Sequence, residues 1–211
     1  MAPETTGSGS TFEGLVARTE GLQPWRRVAH AATGVVFALG PGWMGWAPGR
    51  VVAVLGGVTA LAFAMDAARL TVPRLNRLFF VTFRWLASPR EARAVASSTW
   101  YALAATLVWL GAPGTPAVSG LLVLGLADPA ASVIGRRWGR SPLGKGTREG
   151  SGAFFAVALL VLWSRVDFPA ALFVAALVAL VEIVPSKADD NLTVPIATAA
   201  LVTLAMAASF A

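Results

Sequence analysis

The chain of 211 residues carries a net charge of +6 and is 56% hydrophobic but only 13% charged, where soluble domains average about 25%. With a mean hydropathy of +0.66 and apolar runs of membrane-spanning length recurring from Val28 onward, it is not a soluble globular domain. The lack of cysteine excludes disulfides and thiolate-held metals, and in a membrane protein the placement of cations says more than their sum, so the positive balance does not imply nucleic acid.

Residues 1–24 begin MAPETTGSGSTFEG, polar and rich in Gly and Ser. They read as a flexible tail and lack the charged start, apolar middle and cleavage site of a signal peptide. Residues 25–211 follow as a single all-α transmembrane domain. Its apolar runs predict seven membrane-spanning helices at roughly 28–47, 51–68, 94–112, 116–135, 150–164, 168–185 and 192–210. The fifth is short for a bilayer of about 30 Å, so it extends into the preceding loop or crosses a thinned region. Between the second and third lies RLNRLFFVTFRWL, residues 74–86. A helix there puts Arg74, Arg77 and Arg84 on one face and Leu75, Leu78, Phe79 and Leu86 on another, the pattern of an amphipathic helix at the membrane surface.

Cations alternate between the connections. The N-terminal segment has Arg18, Arg26 and Arg27. The second-to-third connection has Arg69, Arg74, Arg77, Arg84, Arg90 and Arg93. The fourth-to-fifth has Arg136, Arg137, Arg140, Lys145 and Arg148, and the sixth-to-seventh has Lys187. Only Arg50 and Arg165 remain for the other side. Because cytoplasmic loops carry the excess of Lys and Arg, the N-terminus is expected inside and the C-terminus outside.

With that topology the remaining polar residues fall toward the cytoplasmic ends of their helices: His30, Asp66, Glu91, Ser97 to Thr99, Asp128, Glu149, Glu182 and Asp189 to Asn191. A charge inside a membrane helix costs about 2.5–3.5 kcal/mol on insertion scales and marks a pathway or a site. For Asp66, Glu91 and His30 singly, an interfacial residue reaching water explains as much. Asp128 and Glu182, each flanked by apolar residues, are harder to explain that way. Carboxylates with Asn are hard oxygen ligands suited to Mg²⁺. Cations among glycines suit a polyphosphate, and the amides that open a helix at EGSG attract anions. Pro129 lacks an N–H and frees the carbonyl of Gly125. GRSPLGKGT, residues 139–147, comes close to a P-loop, but Gly146 intrudes before Thr147 and no parallel strand precedes it. The P-loop fold is therefore excluded while phosphate binding is not.

Four motifs together carry a resemblance: RRVAH with Gly34, DPAASVIGRRWG, KGTREGS, and EIVPSKADDNLTVP. Over residues 25–200 the chain resembles the CTP-dependent lipid kinases, which include dolichol or polyprenol kinase, phytol kinase and the yeast-type diacylglycerol kinase. More distantly it is similar to CDP-diacylglycerol synthase. It departs from the family at Gly146, where a basic residue usually precedes the Ser or Thr of the loop. The resemblance implies an integral enzyme, such as one of a bacterial inner membrane, that moves the γ-phosphoryl of CTP to a membrane lipid alcohol at the cytoplasmic face of the bilayer, with Mg²⁺ as cofactor.

On that reading Asp128 and Asp190 hold Mg²⁺, with Glu182 and Asn191 as further ligands or as partners of the ligands. Arg136, Arg137, Lys145, Thr147 and Arg148 hold the triphosphate, and Glu149, Gly150 and Ser151 bring a helix N-terminus to it. Asp66 and Asp190 are both candidates for the base that takes the hydroxyl proton. Two readings stand for Arg136, Arg137 and Arg140: phosphate ligands, or topogenic charges on anionic headgroups. Trp25, Trp85 and Trp138 read as interfacial anchors, and Asp189 as a helix cap. A cytidylyltransferase acting on a lipid phosphate, and a transporter or scaffold, are the competing functions. The near-absence of polar groups in the outer half argues against a transporter.

Overall fold

The structure is a computed structural model and describes residues 11–21, 23–186 and 188–208. Lys187 and the first ten residues of the expected tail lie outside that range. The described chain is all-α apart from one two-residue hairpin. In order it forms α1 (Phe12–Ala17), α2 (Pro24–Trp43), α3 (Pro48–Thr71), α4 (Pro73–Thr82), a 3₁₀ turn at Pro89–Ala92, α5 (Ser97–Gly111) and α6 (Thr115–Trp138). Strands β1 (Pro142–Leu143) and β2 (Gly146–Thr147) come next, followed by α7 (Arg148–Trp163), α8 (Phe168–Ile183) and α9 (Asp190–Ala208).

Every segment expected to span the membrane is a helix here, α2, α3 and α5 to α9 in turn. Three of them, α3, α6 and α9, are long and apolar enough to cross a bilayer, which points to an integral membrane protein. The outer surface agrees: Leu61, Leu110, Leu160 and Leu204 are each more than 60% exposed, an apolar coat that a water-soluble monomer does not carry. The fifth segment, expected at 150–164, is α7 over Arg148–Trp163, still only 16 residues. Thr147 caps it by accepting the Gly150 N–H at 3.1 Å.

Helix α6 is the hub. Of its most apolar 18-residue window, 56% is buried, against 22% for α3 and 33% for α9, and it packs on α2, α5, α7 and α9. Small residues let it do so. A Cβ on Gly34 of α2 would stand 2.7 Å from Gly125 Cα of α6 and would meet the Tyr101 hydroxyl, so the two backbones nearly touch. This is how membrane helices gain packing energy when lipid offers no hydrophobic drive between them.

The amphipathic segment is shorter than its sequence pattern suggests. Pro73 opens α4 and the helix ends at Thr82, so Arg84 and Leu86 do not continue its faces. Arg84 stacks on Trp85 instead, 4.7 Å from the ring centre. The buried face of α4 is Asn76 and Phe80, while Leu75, Leu78 and Val81 are exposed. Within the stretch read as a tail, α1 docks on α4, with Phe12 edge-on to Phe80 at 5.6 Å.

Replacing Gly34 with Ala should force α2 and α6 apart at a cost of about 1–3 kcal/mol, typical of overpacking. Gly42 on the same helix faces open space, so Gly42→Ala serves as the control. Thermal unfolding in detergent should show a lowered Tm for Gly34→Ala alone; equal melting of the two variants would refute the close crossing.

Candidate functional site

One face of α6 sets the site. Asp128, Ser132 and Arg136 are spaced four apart, so they stack along the helix, and all three line a polar cavity of about 450 Å³. That volume lies within the usual range for small-molecule sites, roughly 300–1,000 Å³. The first turns of α2 form the opposite wall. Arg27 donates to Ser132 Oγ from Nη2 at 2.7 Å. Arg26 donates to Ser97 Oγ at 3.1 Å and pairs with Glu91 at 3.4 Å. His30 Nε2 lies 3.3 Å from the Leu124 carbonyl and 3.8 Å from Asp128 Oδ2.

The third wall is the start of α9. Asp189 accepts from the Asn191 backbone N–H at 3.1 Å and from Asn191 Nδ2 at 2.7 Å, and it pairs with Arg90. It therefore caps α9, as expected. Asp190 pairs with Lys145, which the hairpin delivers. Gly144 occupies the turn with φ +55°, a conformation that suits glycine. A Cβ there would run into the Ile183 carbonyl at the end of α8. The Lys145 N–H donates to that same carbonyl at 3.3 Å, so the turn is pinned to α8 and its lysine reaches α9.

The expected site residues thus separate into two groups. Asp128, Arg136, Lys145, Asp190 and Asn191 share the cavity. Arg137, Thr147, Arg148, Glu149, Gly150, Ser151 and Glu182 are not on its wall. Arg137 stacks on Trp138 at 5.1 Å, and Glu149 accepts from the Ser141 N–H at 3.4 Å, bracing the hairpin. Gly150 packs closely against Gly135 of α6, and its N–H is already taken by Thr147. Glu182 lies within electrostatic reach of Lys145, Asp190 and Asp128. Its Oε2 is buried without a partner among the described residues.

Asp66 lies elsewhere. It lines a second, largely apolar cavity of about 350 Å³. Its Oδ1 accepts from Arg69 Nε at 2.6 Å, and its Oδ2 accepts from Thr99 Oγ1 at 2.6 Å and the Ala96 N–H at 3.0 Å. Arg69 continues the network to Asn76 Oδ1 and to the carbonyls of Glu91 and Ala94. Glu91 accepts the N–H groups of Ser88 and Ser97, so one carboxylate caps both the 3₁₀ turn and α5.

Sequence reasoning had not assigned Arg26, Arg27, Arg90 and Ser132 to the site. Two signals were available for them: the four-residue spacing Asp128–Ser132–Arg136, and the position of Arg26 and Arg27 one turn before His30 on the same helix.

Among the described residues, no three His, Asp or Glu side chains come together to hold a metal ion. Mg²⁺ does not require such a cage, because one or two carboxylates usually hold it together with waters and substrate phosphates. Asp128 and Asp190 are two such donors on one cavity, with the unpartnered oxygen of Glu182 nearby, so this donor set fits the ion. Around them Arg26, Arg27, Arg90, Arg136 and Lys145 outnumber Asp128, Asp189 and Asp190, and a surplus of cations in a concave, partly apolar setting attracts anions. Comparison with protein-family models, with curated proteins and with solved structures finds no match for this chain.

Because Asp66 and Arg69 are both buried, Asp66→Ala should strand a guanidinium and cost about 3–5 kcal/mol. The expected readout is a Tm well below wild type in detergent. A variant that melts like wild type would refute the structural role and return Asp66 to the list of possible bases.

Proposed function

We propose that the chain is a CTP-dependent lipid kinase that transfers the γ-phosphoryl of CTP to the hydroxyl of a membrane lipid alcohol. The observation that carries this reading is the polar cavity itself, where Asp128 and Asp190 meet five cations in an otherwise apolar helical protein. Two carboxylates and a cation surplus are what a metal-bound triphosphate needs. The preference for CTP rests on the resemblance of the four motifs to the lipid kinase family.

Arg136 and Lys145, joined by Arg26, Arg27 and Arg90, hold the triphosphate from three directions. Thr147, Arg148, Glu149, Gly150 and Ser151 act through the hairpin and the α6–α7 contact, which fix Lys145. Asp128 and Asp190 would hold Mg²⁺, which would supply charge neutralisation to the triphosphate. The hydroxyl oxygen of the lipid forms the new bond to the γ-phosphorus as the bond to the β–γ bridging oxygen breaks. CDP departs and the hydroxyl proton passes to a carboxylate. Both oxygens of Asp66 are already bonded and it lies outside this cavity, which argues against it as the acceptor. A loose transition state asks little of the base, so positioning and neutralisation dominate.

The seven-span topology, with the N-terminus and the site on the cytoplasmic side, belongs to the same proposal. The alternation of Lys and Arg supports it, as do the seven helices matching the seven apolar segments. Helices α7 and α8, 16 residues each, rise only about 24 Å, so they cross where the bilayer thins or their flanks reach the headgroups.

A second reading has one observation in its favour. Five cations are enough for two anionic substrates, as a cytidylyltransferase joining CTP to a lipid phosphate requires. Purified protein given CTP labelled at the γ- or α-phosphate separates the two. Label should reach lipid from the γ position; transfer from α would establish the cytidylyltransferase, and transfer from neither would leave a scaffold. Asp128→Asn should lower transfer by roughly 10²–10³-fold or more while the protein inserts and melts as wild type. Full activity in that variant would overturn the assignment.

A further inference from the structure

We propose that the apolar cavity beside the polar one is the binding site for the hydrocarbon part of the acceptor lipid, which places its hydroxyl at the rim between the two cavities. This rests on the kinase reading of the polar cavity.

The two cavities share a wall. Arg26, His30 and Ser97 line both, and His30 Nε2 stands 3.8 Å from Asp128. A molecule with its chain in the apolar cavity therefore ends its polar head at this rim, facing the carboxylate of the polar one. The walls of the apolar cavity are Ala29, Ala62, Met65, Phe79, Phe83 and Leu86. Both of its carboxylates and its phenol are already committed. Asp66 is held by Arg69, Thr99 and the Ala96 N–H, Glu91 by Arg26, Ser88 and Ser97, and the Tyr101 hydroxyl donates to the Leu121 carbonyl. A polar ligand would find few groups to bond, whereas a hydrocarbon needs none.

The chain has a way in. Met65 is 56% exposed, and Phe83 and Leu86 are each 39% exposed, so these lining residues also belong to the outer apolar surface. The cavity thus opens toward lipid between α3 and the segment that follows α4. About 350 Å³ is room for the head-proximal part of a lipid tail, the rest running out into the bilayer.

The test uses the full-length protein in detergent micelles and palmityl alcohol with a diazirine in the first half of its chain. After irradiation, cross-links should concentrate on peptides containing Ala62 to Asp66 and Phe79 to Leu86. Excess unlabelled palmityl alcohol should abolish that labelling. Ala62→Trp, which fills the cavity, should lose about tenfold in labelling while CTP with Mg²⁺ still raises its Tm as in wild type. Cross-links spread evenly over the outer helices would overturn the chain site, and that result needs no variant to fold. Unchanged labelling in an Ala62→Trp protein that responds to CTP would do the same. Labelling that excess palmityl alcohol does not reduce would overturn it as well. Labelling at the named peptides with no thermal response to CTP in wild type would support the chain site while removing the kinase reading.

Discussion

The near-contact of Gly34 and Gly125 is the constraint on which the site depends. His30 lies one turn before Gly34 on α2, and Asp128 lies just under one turn after Gly125 on α6. Because the two backbones meet at the glycines, the residues one turn along each helix must face each other, which leaves His30 and Asp128 3.8 Å apart. Hydrogen bonds from neighbouring rings reinforce the crossing. Tyr101 donates to the Leu121 carbonyl on one side and Trp109 Nε1 donates to the Phe37 carbonyl at 3.0 Å on the other. Such bonds, made away from water, restrict how the helices can rotate.

Around that crossing the carboxylates sort by how fully they are bonded. Asp66 and Glu91 are buried and satisfied on both oxygens, so they fasten the α3–α4 and α4–α5 connections. Asp189 is committed to the cap of α9 and to Arg90. Asp128 differs. Its nearest ionic partner is His30 at 3.8 Å, beyond hydrogen-bond range, and no hydrogen bond reaches it among the described residues. Its side chain is 38% exposed to the polar cavity, so it is open to water or a ligand there. A fold selected only for stability would have matched it as Asp66 is matched.

The helical fold was legible because long apolar runs favour helices: the seven runs are helices here, three of them long and apolar enough to cross a bilayer. The meeting of Asp128, Arg136, Lys145 and Asp190 on one cavity was foreshadowed because charge inside or beside an apolar run is costly and marks a site. What the sequence hid were contacts between elements. The shorter α4 was concealed because the helical pattern of Arg74, Arg77 and Arg84 continues past Thr82, where the chain turns and Arg84 stacks on Trp85. Asp66 looked like a possible base because its partners Ala96 and Thr99 are some 30 residues away in sequence. The role of Arg27 was invisible because Ser132, which receives it, is 105 positions distant.

The P-loop-like stretch shows how similar sequence can serve charge by different geometry. In a P-loop the helix behind the glycines offers its amides to phosphate. Here Thr147 takes the Gly150 N–H, so that end of α7 is closed by its own cap. The glycines work earlier, at Gly144, where the positive φ and the missing Cβ let the turn rest on the Ile183 carbonyl. Because α8 supplies that carbonyl and α9 begins at Asp190, one short hairpin sets the distance between Lys145 and the acidic start of α9. Its cation is therefore placed by packing against two helix ends, and the loop needs no sheet behind it to hold its shape.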